Sequence, residues 1–177
     1  KIRIGTSGYS FADWKGDFYP ANLKQNEYLD YYQKYFDTVE LNFSYYGIPK
    51  NENLLNLEEL VSDTFAFFIK AYKSLTHFYP LKLDKTAVFN DLKTFRDALK
   101  NTAKIKGILF QFPFDFKYTN ANLAFILELA TELSDYRIIW EFRHESWLNY
   151  SVSNVMKEKK ISYCCVDEPQ LPGLIPP

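Results

Sequence analysis

The chain has 177 residues, room for one sizeable core, and 47% hydrophobic with 24% charged residues is the balance of a folded globular domain. Its net charge of −1 gives no overall field toward nucleic acid or an anionic membrane, although a local basic patch stays open. No apolar run approaches the ~18 residues of a membrane span and no signal peptide is visible, so a cytoplasmic protein without membrane contact is expected.

Residues 1–5 read as a first strand, followed by a long aromatic loop over 6–22. Residues 26–35 read as a helix, 38–42 as a second strand and 53–61 as a short helix. A Phe-rich third strand covers 65–71, and the loop 72–85 leads to a helix over 87–101. The fourth strand, 106–112, is stopped by Pro113. Leu123, Ile126, Leu127 and Ala130 recur at helical spacing and predict a helix over 121–133. Residues 137–142 form the fifth strand, 152–159 a short helix and 161–167 the sixth strand. The closing PQLPGLIPP is turn-rich and continues neither pattern.

Six strands alternating with five helices predict a parallel sheet, either an open doubly wound sheet or a (β/α)8 barrel. Strand parity separates the two. Thr38, Glu40 and Asn42 share one face of the second strand, opposite Val39 and Leu41. Lys70 shares a face with Ala66 and Phe68, Gln111 with Leu109, Glu141 with Ile139, and Asp167 with Cys165. Five strands thus carry a polar residue near the C-terminal end on one parity, the pattern of side chains converging on a barrel axis. Helices on both faces of an open sheet give no reason for such a bias. The G-x-G-x-x-G dinucleotide fingerprint is absent, the first loop reading Gly5-Thr6-Ser7-Gly8. The expected fold is a TIM-type barrel forming a single domain over 1–177. It would be incomplete at its C-terminus, because closure needs two further βα units of roughly 60 residues at the size of such barrels.

The stretch RIIWEFRHESW, residues 137–147, is the densest chemistry in the chain. A carboxylate and a guanidinium end an otherwise apolar strand, where they are costly to bury without partners. Strand ends of this kind carry the chemistry of α/β proteins. Cys164 and Cys165 are adjacent, so their side chains diverge and a disulfide between them is not expected; both read as buried thiols.

Taken together, GTSGYSFADWKGDFYP, FDTVELNFSYYGIP, FFIKAYKSLTH, GILFQFP and EFRHESW resemble the YecE-like family, also called domain of unknown function 72. The resemblance runs from Ile4 to Asp167. It implies a TIM-barrel fold and no established activity. By position, it implies as characteristic polar residues Thr6, Ser7, Glu40, Asn42, Lys70, Thr76, His77, Gln111, Glu141, Arg143, His144 and Asp167. Its aromatic positions would be Tyr9, Trp14, Phe18, Tyr19, Tyr46 and Trp147, with Tyr9 standing where the family commonly shows Trp.

The residues themselves suggest roles. Glu40 and Glu141, on the second and fifth strands, could flank a substrate as acid and base, with His144 as a further acid/base group. The plainer reading is one ion-pair network with Lys70 and Arg143. Those two cations could also clamp an anionic group. Ser7, Asn42, His77, Gln111 and Asp167 would bind or orient the ligand, and Trp14 and Trp147 would shield it. The other reading of the aromatics is that long loops need a small core of their own. With only two histidines, a zinc site built from three of them is excluded within this stretch. Glu40, Glu141, Asp167 and a histidine could hold Mg2+ or Mn2+, but no spacing requires it and no metal site is expected. The expected function is an enzyme acting on a small polar or phosphorylated metabolite of carbohydrate or nucleoside type. The alternative is a non-catalytic ligand-binding or nucleic-acid-associated protein on the same barrel.

Overall fold

The computed structural model of the protein describes residues 2–77, 84–169 and 171–176. Part of the predicted loop 72–85, residues 78–83, lies outside the described residues.

Six parallel strands form one sheet in the order β1-β2-β3-β4-β5-β6, each beside its predecessor in the chain. They are β1 (Gly5–Ser7), β2 (Thr38–Leu41), β3 (Ala66–Lys70), β4 (Ile105–Gln111), β5 (Ile138–Glu141) and β6 (Ser162–Tyr163). This order never reverses, which sets it apart from a doubly wound sheet. The sheet is not closed: no pairing joins β1 to β6 among the described residues. The helices are α1 (Tyr28–Tyr32), α2 (Phe43–Tyr46), α3 (Asn51–Glu59), α4 (Lys85–Ala98), α5 (Asn120–Glu132) and α6 (Tyr150–Glu158). No helix is long and apolar enough to cross a membrane among the described residues.

The two faces of the sheet differ as period-2 patterning demands. Val39, Leu41, Phe67, Ile69, Ile108, Phe110, Ile138 and Trp140 are all buried in one core. Leu54 of α3, Val88, Leu92 and Phe95 of α4, Phe125 and Ile126 of α5 and Met156 of α6 belong to the same core. The opposite face carries Glu40, Phe68, Lys70, Gln111 and Ile139, all half-buried. On that face Gly107 is packed closely, since a Cβ there would stand 3.1 Å from both Phe68 and Ile139.

Three departures from the predicted elements have physical causes. Strand β1 begins at Gly5, leaving Ile2 and Ile4 exposed, because pairing with β2 starts at Gly5↔Thr38. Only glycine fits there: a Cβ would lie 2.0 Å from the Thr38 carbonyl oxygen. Ser7 therefore ends a strand, beside Glu40, rather than lying in a loop. Helix α2, four residues directly after β2, is too short to show a period. Strand β6 is two residues long instead of seven, and its register, Ile139↔Ser162 and Trp140↔Tyr163, turns Cys164 toward the face of Glu141. Asp167 and Cys165 are exposed and Cys164 half-buried, so the predicted Asp167–Cys165 face and the two buried thiols are both corrected. Both cysteines are free.

A buried carboxylate fixes the entry to β4. Glu58, near the end of α3, accepts hydrogen bonds from the backbone N–H of Ala103, Lys104 and Ile105 at 2.8, 2.5 and 3.0 Å. Lys104 then reaches back to the Glu58 and Val61 carbonyls, satisfying carbonyls at the end of the helix.

Candidate functional site

The C-terminal ends of β1–β4 border a cleft of about 620 Å3. Ser7, Glu40, Asn42, Lys70 and Gln111 supply its polar wall, and Phe11, Phe43, Tyr45 and Tyr46 its aromatic one. The polar groups reach the cleft because they end neighbouring strands on one parity. The ladder pairs Ser7 with Glu40 and Gln111 with Glu141, so their side chains emerge on the same face. Register also places Lys70 one step of two residues beyond the position opposite Glu40. At ordinary strand spacing and rise, their Cα atoms stand about 8 Å apart.

Two hydrogen-bond chains organise these groups. In the first, Asn42 Nδ2 donates to Ser7 Oγ at 2.7 Å, and Ser7 Oγ donates to Glu40 Oε1 at 2.9 Å. In the second, Lys70 Nζ donates to Gln111 Oε1 and Gln111 Nε2 donates to Glu141 Oε1, each at 2.6 Å. Glu141 Oε1 also meets an Arg143 guanidinium nitrogen at 2.6 Å, and Arg143 pairs with Glu168. The Cys164 thiol is pushed up to about 11 by its burial, by the Glu141 charge and by its hydrogen bond with Glu141. Asn42 Oδ1 is buried and has no hydrogen-bond partner among the described residues.

The predicted site residues therefore separate into groups. Ser7, Glu40, Asn42, Lys70 and Gln111 share the cleft. Glu141, 4% exposed, and Arg143 do not line it; Glu141 holds Gln111 from the neighbouring strand and Arg143 pairs with Glu141. The expected single network is two networks: Glu40 bonds to Ser7, and no ion pair joins it to Lys70 or Arg143 among the described residues.

The remaining predicted residues lie elsewhere. His144 caps a short turn: its Nδ1 accepts from the Ser146 N–H at 3.1 Å and its ring lies 4.9 Å from that of Phe114. His77 Nδ1 shares a 2.8 Å hydrogen bond with Thr76 Oγ1, and its ring meets Tyr45 edge-on. Burial and the Lys70 charge lower the His77 pKa, against a smaller opposing pull from Asp115. Lys70 also approaches the Tyr45 ring, its Nζ standing 5.3 Å from the ring centre. Asp167 is exposed and away from the cleft lining.

Trp14 and Trp147 pack rather than face the cleft. Trp147 is 3% exposed, stacked on Phe142 at 4.2 Å and Phe116 at 5.4 Å, and its Nε1–H donates to the Phe116 carbonyl. It ties the loop after β5 to the loop after β4. Trp14 joins Phe11, Phe18 and Tyr19 in a loop core continuous with α1. Tyr19 stacks on Tyr28 at 3.9 Å, and burial with neighbouring tyrosines pushes its phenol up. Composition did not single out Phe11 or Phe43 as cleft residues. Phe43 could have been found, since it follows Asn42 directly at the end of β2.

The family described as "Protein of unknown function DUF72" matches residues 3–176. The chain belongs to this family. It is 27% identical to "UPF0759 protein YunF" of Bacillus subtilis (strain 168), over 96% of this chain and 62% of that protein. The chain thus spans less than two thirds of that relative's length. Among solved structures, a DUF72 family protein of Thermotoga maritima is 34% identical with a TM-score of 0.82, covering 98% of this chain and 68% of its own. A DUF72 family protein of Enterococcus faecalis shares the fold at 24% identity and a TM-score of 0.81, over 99% of this chain and 65% of its own. The DUF72 membership agrees with the resemblance read from the motifs.

Proposed function

We propose that the cleft is the ligand site of a (β/α)8-barrel enzyme acting on a small polar or phosphorylated metabolite of carbohydrate or nucleoside type. In this reading Glu40 is the acid/base group, Lys70 receives an anionic or oxyanion group, and Ser7 and Asn42 orient Glu40. The observation that carries it is a carboxylate and an ammonium lining one cleft from neighbouring strands, two residues apart in register, under an aromatic rim. A substrate held between them has a proton acceptor on one side and a charge stabiliser on the other. Glu141, His144 and Arg143 stand outside the cleft lining, which leaves the chemistry to Glu40 and Lys70. The barrel part of the proposal rests on the unreversed strand order, the polar parity of the inner face and the greater length of the relatives.

A second reading, a non-catalytic binder, is favoured by Glu40 being the single carboxylate among the described residues that line the cleft. A thermal-shift panel of sugars, sugar phosphates, nucleosides and nucleotides tests both, since a ligand at ~100 Kd stabilises by about 2.7 kcal/mol. Glu40→Gln should then keep the shift while abolishing turnover of the stabilising compound. Unchanged turnover in Glu40→Gln would refute the acid/base role.

A further inference from the structure

We propose, resting on the reading of the cleft as a small-metabolite site, that its ligand is a sugar acid: a polyhydroxylated compound carrying one carboxylate, held through that group by Lys70. Of the cleft-lining residues, Glu40 and Lys70 are the two that carry charge. Arg143, the neighbouring cation, is committed to Glu141 and Glu168. Among the described residues the cleft therefore offers one positive charge, with a carboxylate on the next strand. A single negative charge on the ligand pairs with the Lys70 ammonium, and the Glu40 charge disfavours any further one. A phosphomonoester, carrying about −1.5 to −2, brings excess charge toward Glu40.

The donor geometry points the same way. An ammonium has three N–H donors and no acceptor. One is spent on Gln111 Oε1, and the Tyr45 ring covers another side. Gln111 is barred from turning its NH2 toward the ligand, because Glu141 holds that NH2 at 2.6 Å. One ammonium donor is thus left for a carboxylate oxygen of the ligand. Along the same polar wall, Glu40 and the Ser7 and Ser10 side chains are partners for hydroxyl groups, and the exposed rings of Phe11 and Phe43 suit the apolar face of a sugar.

Isothermal titration of the full chain with D-glucuronate, D-galacturonate, D-gluconate, D-glucose, D-glucose 6-phosphate and the nucleosides adenosine and uridine tests this, in the wild type and in Lys70→Met. At least one acid should bind tenfold or more tightly than both glucose and glucose 6-phosphate. Lys70→Met should lose that preference while keeping the weak binding of glucose. Should Lys70→Met fail to fold, Gln111→Leu, which frees the ammonium from its fixed direction, should narrow the same preference. Glucose or glucose 6-phosphate binding as tightly as the acids would overturn the sugar-acid assignment and leave the metabolite-site reading standing. Binding of nucleosides alone would do the same. No binding by any of these compounds, nucleosides included, would overturn both.

Discussion

Lys70 and Glu141 are joined through one amide: Gln111 accepts from the Lys70 ammonium and donates to the Glu141 carboxylate, both at 2.6 Å. The charges at its two ends fix the amide's orientation. A flipped Gln111 would turn its NH2 toward an ammonium and its carbonyl toward a carboxylate. Glu141, the carboxylate the sequence made most conspicuous, thus acts as an anchor that sets the direction of Lys70.

Breaking this anchor should be destabilising. Glu141→Leu leaves Arg143 with Glu168 alone and removes the acceptor for Gln111 Nε2. Arg143 is a quarter exposed and keeps Glu168, so the cost is that of unsatisfied hydrogen-bonding groups, about 1–3 kcal/mol, rather than that of an orphaned buried charge. Chemical denaturation should show a loss of that order, with the slope of the unfolding curve unchanged. A loss below about 0.5 kcal/mol would place the pair among surface bridges of little weight.

The thiols give a second check. Cys164 is pushed up to about 11, whereas Cys165 is exposed. Iodoacetamide at mildly alkaline pH should modify Cys165 fast and Cys164 slowly, the fast phase vanishing in Cys165→Ser. The Glu141 charge opposes thiolate formation, so Glu141→Gln should lower the Cys164 pKa and speed its reaction. The sign also sets a stability window. The folded thiol keeps its proton above the ordinary value of about 8.5, so its contribution is full below that pH and is lost as pH rises toward about 11. Equal alkylation rates for the two cysteines would contradict the geometry of β6.

Glu58 predicts a defect remote from the cleft. Its carboxylate accepts three backbone N–H groups at the start of β4, and an unsatisfied buried donor costs about 1–3 kcal/mol. Glu58→Ala should lose roughly 3 kcal/mol of stability, and amide exchange should accelerate first at residues 103–105. Retained protection there would show that another group satisfies those amides.

The strand cores and the polar parity of β2–β5 were legible in the sequence, because a period of two sets Glu40, Lys70, Gln111 and Glu141 opposite the apolar neighbours Val39, Ile69, Phe110 and Trp140 of their own strands. Beyond β5 the same logic failed. A one-residue difference in register turns the opposite side chains inward, and Cys164 rather than Asp167 stands beside Glu141. The roles were harder to read than the positions. Nothing local distinguishes Trp147, which packs against Phe142 and Phe116, from an aromatic facing a ligand. Whether Glu141 is a free base or an anchor depends on Arg143, Gln111 and Glu168 meeting in space, and Glu168 comes from beyond β6.

His77 offers the last test, because its titration reports on Lys70. Burial and the Lys70 charge hold its pKa below the ordinary value of about 6.5. A histidine with a depressed folded pKa contributes stability above its unfolded pKa and loses it as pH falls, so the acid limb of the stability curve should steepen below about pH 6.5. His77→Asn should flatten that limb. The chain has two histidines, so NMR titration of the ring protons resolves them by comparison with the variant. Lys70→Met removes the neighbouring charge and should raise the His77 pKa toward the ordinary value, while burial keeps it from rising above. A His77 pKa that does not respond to Lys70→Met would mean the ammonium points away from Tyr45 and His77, and would remove the geometry on which the cleft's charge balance rests.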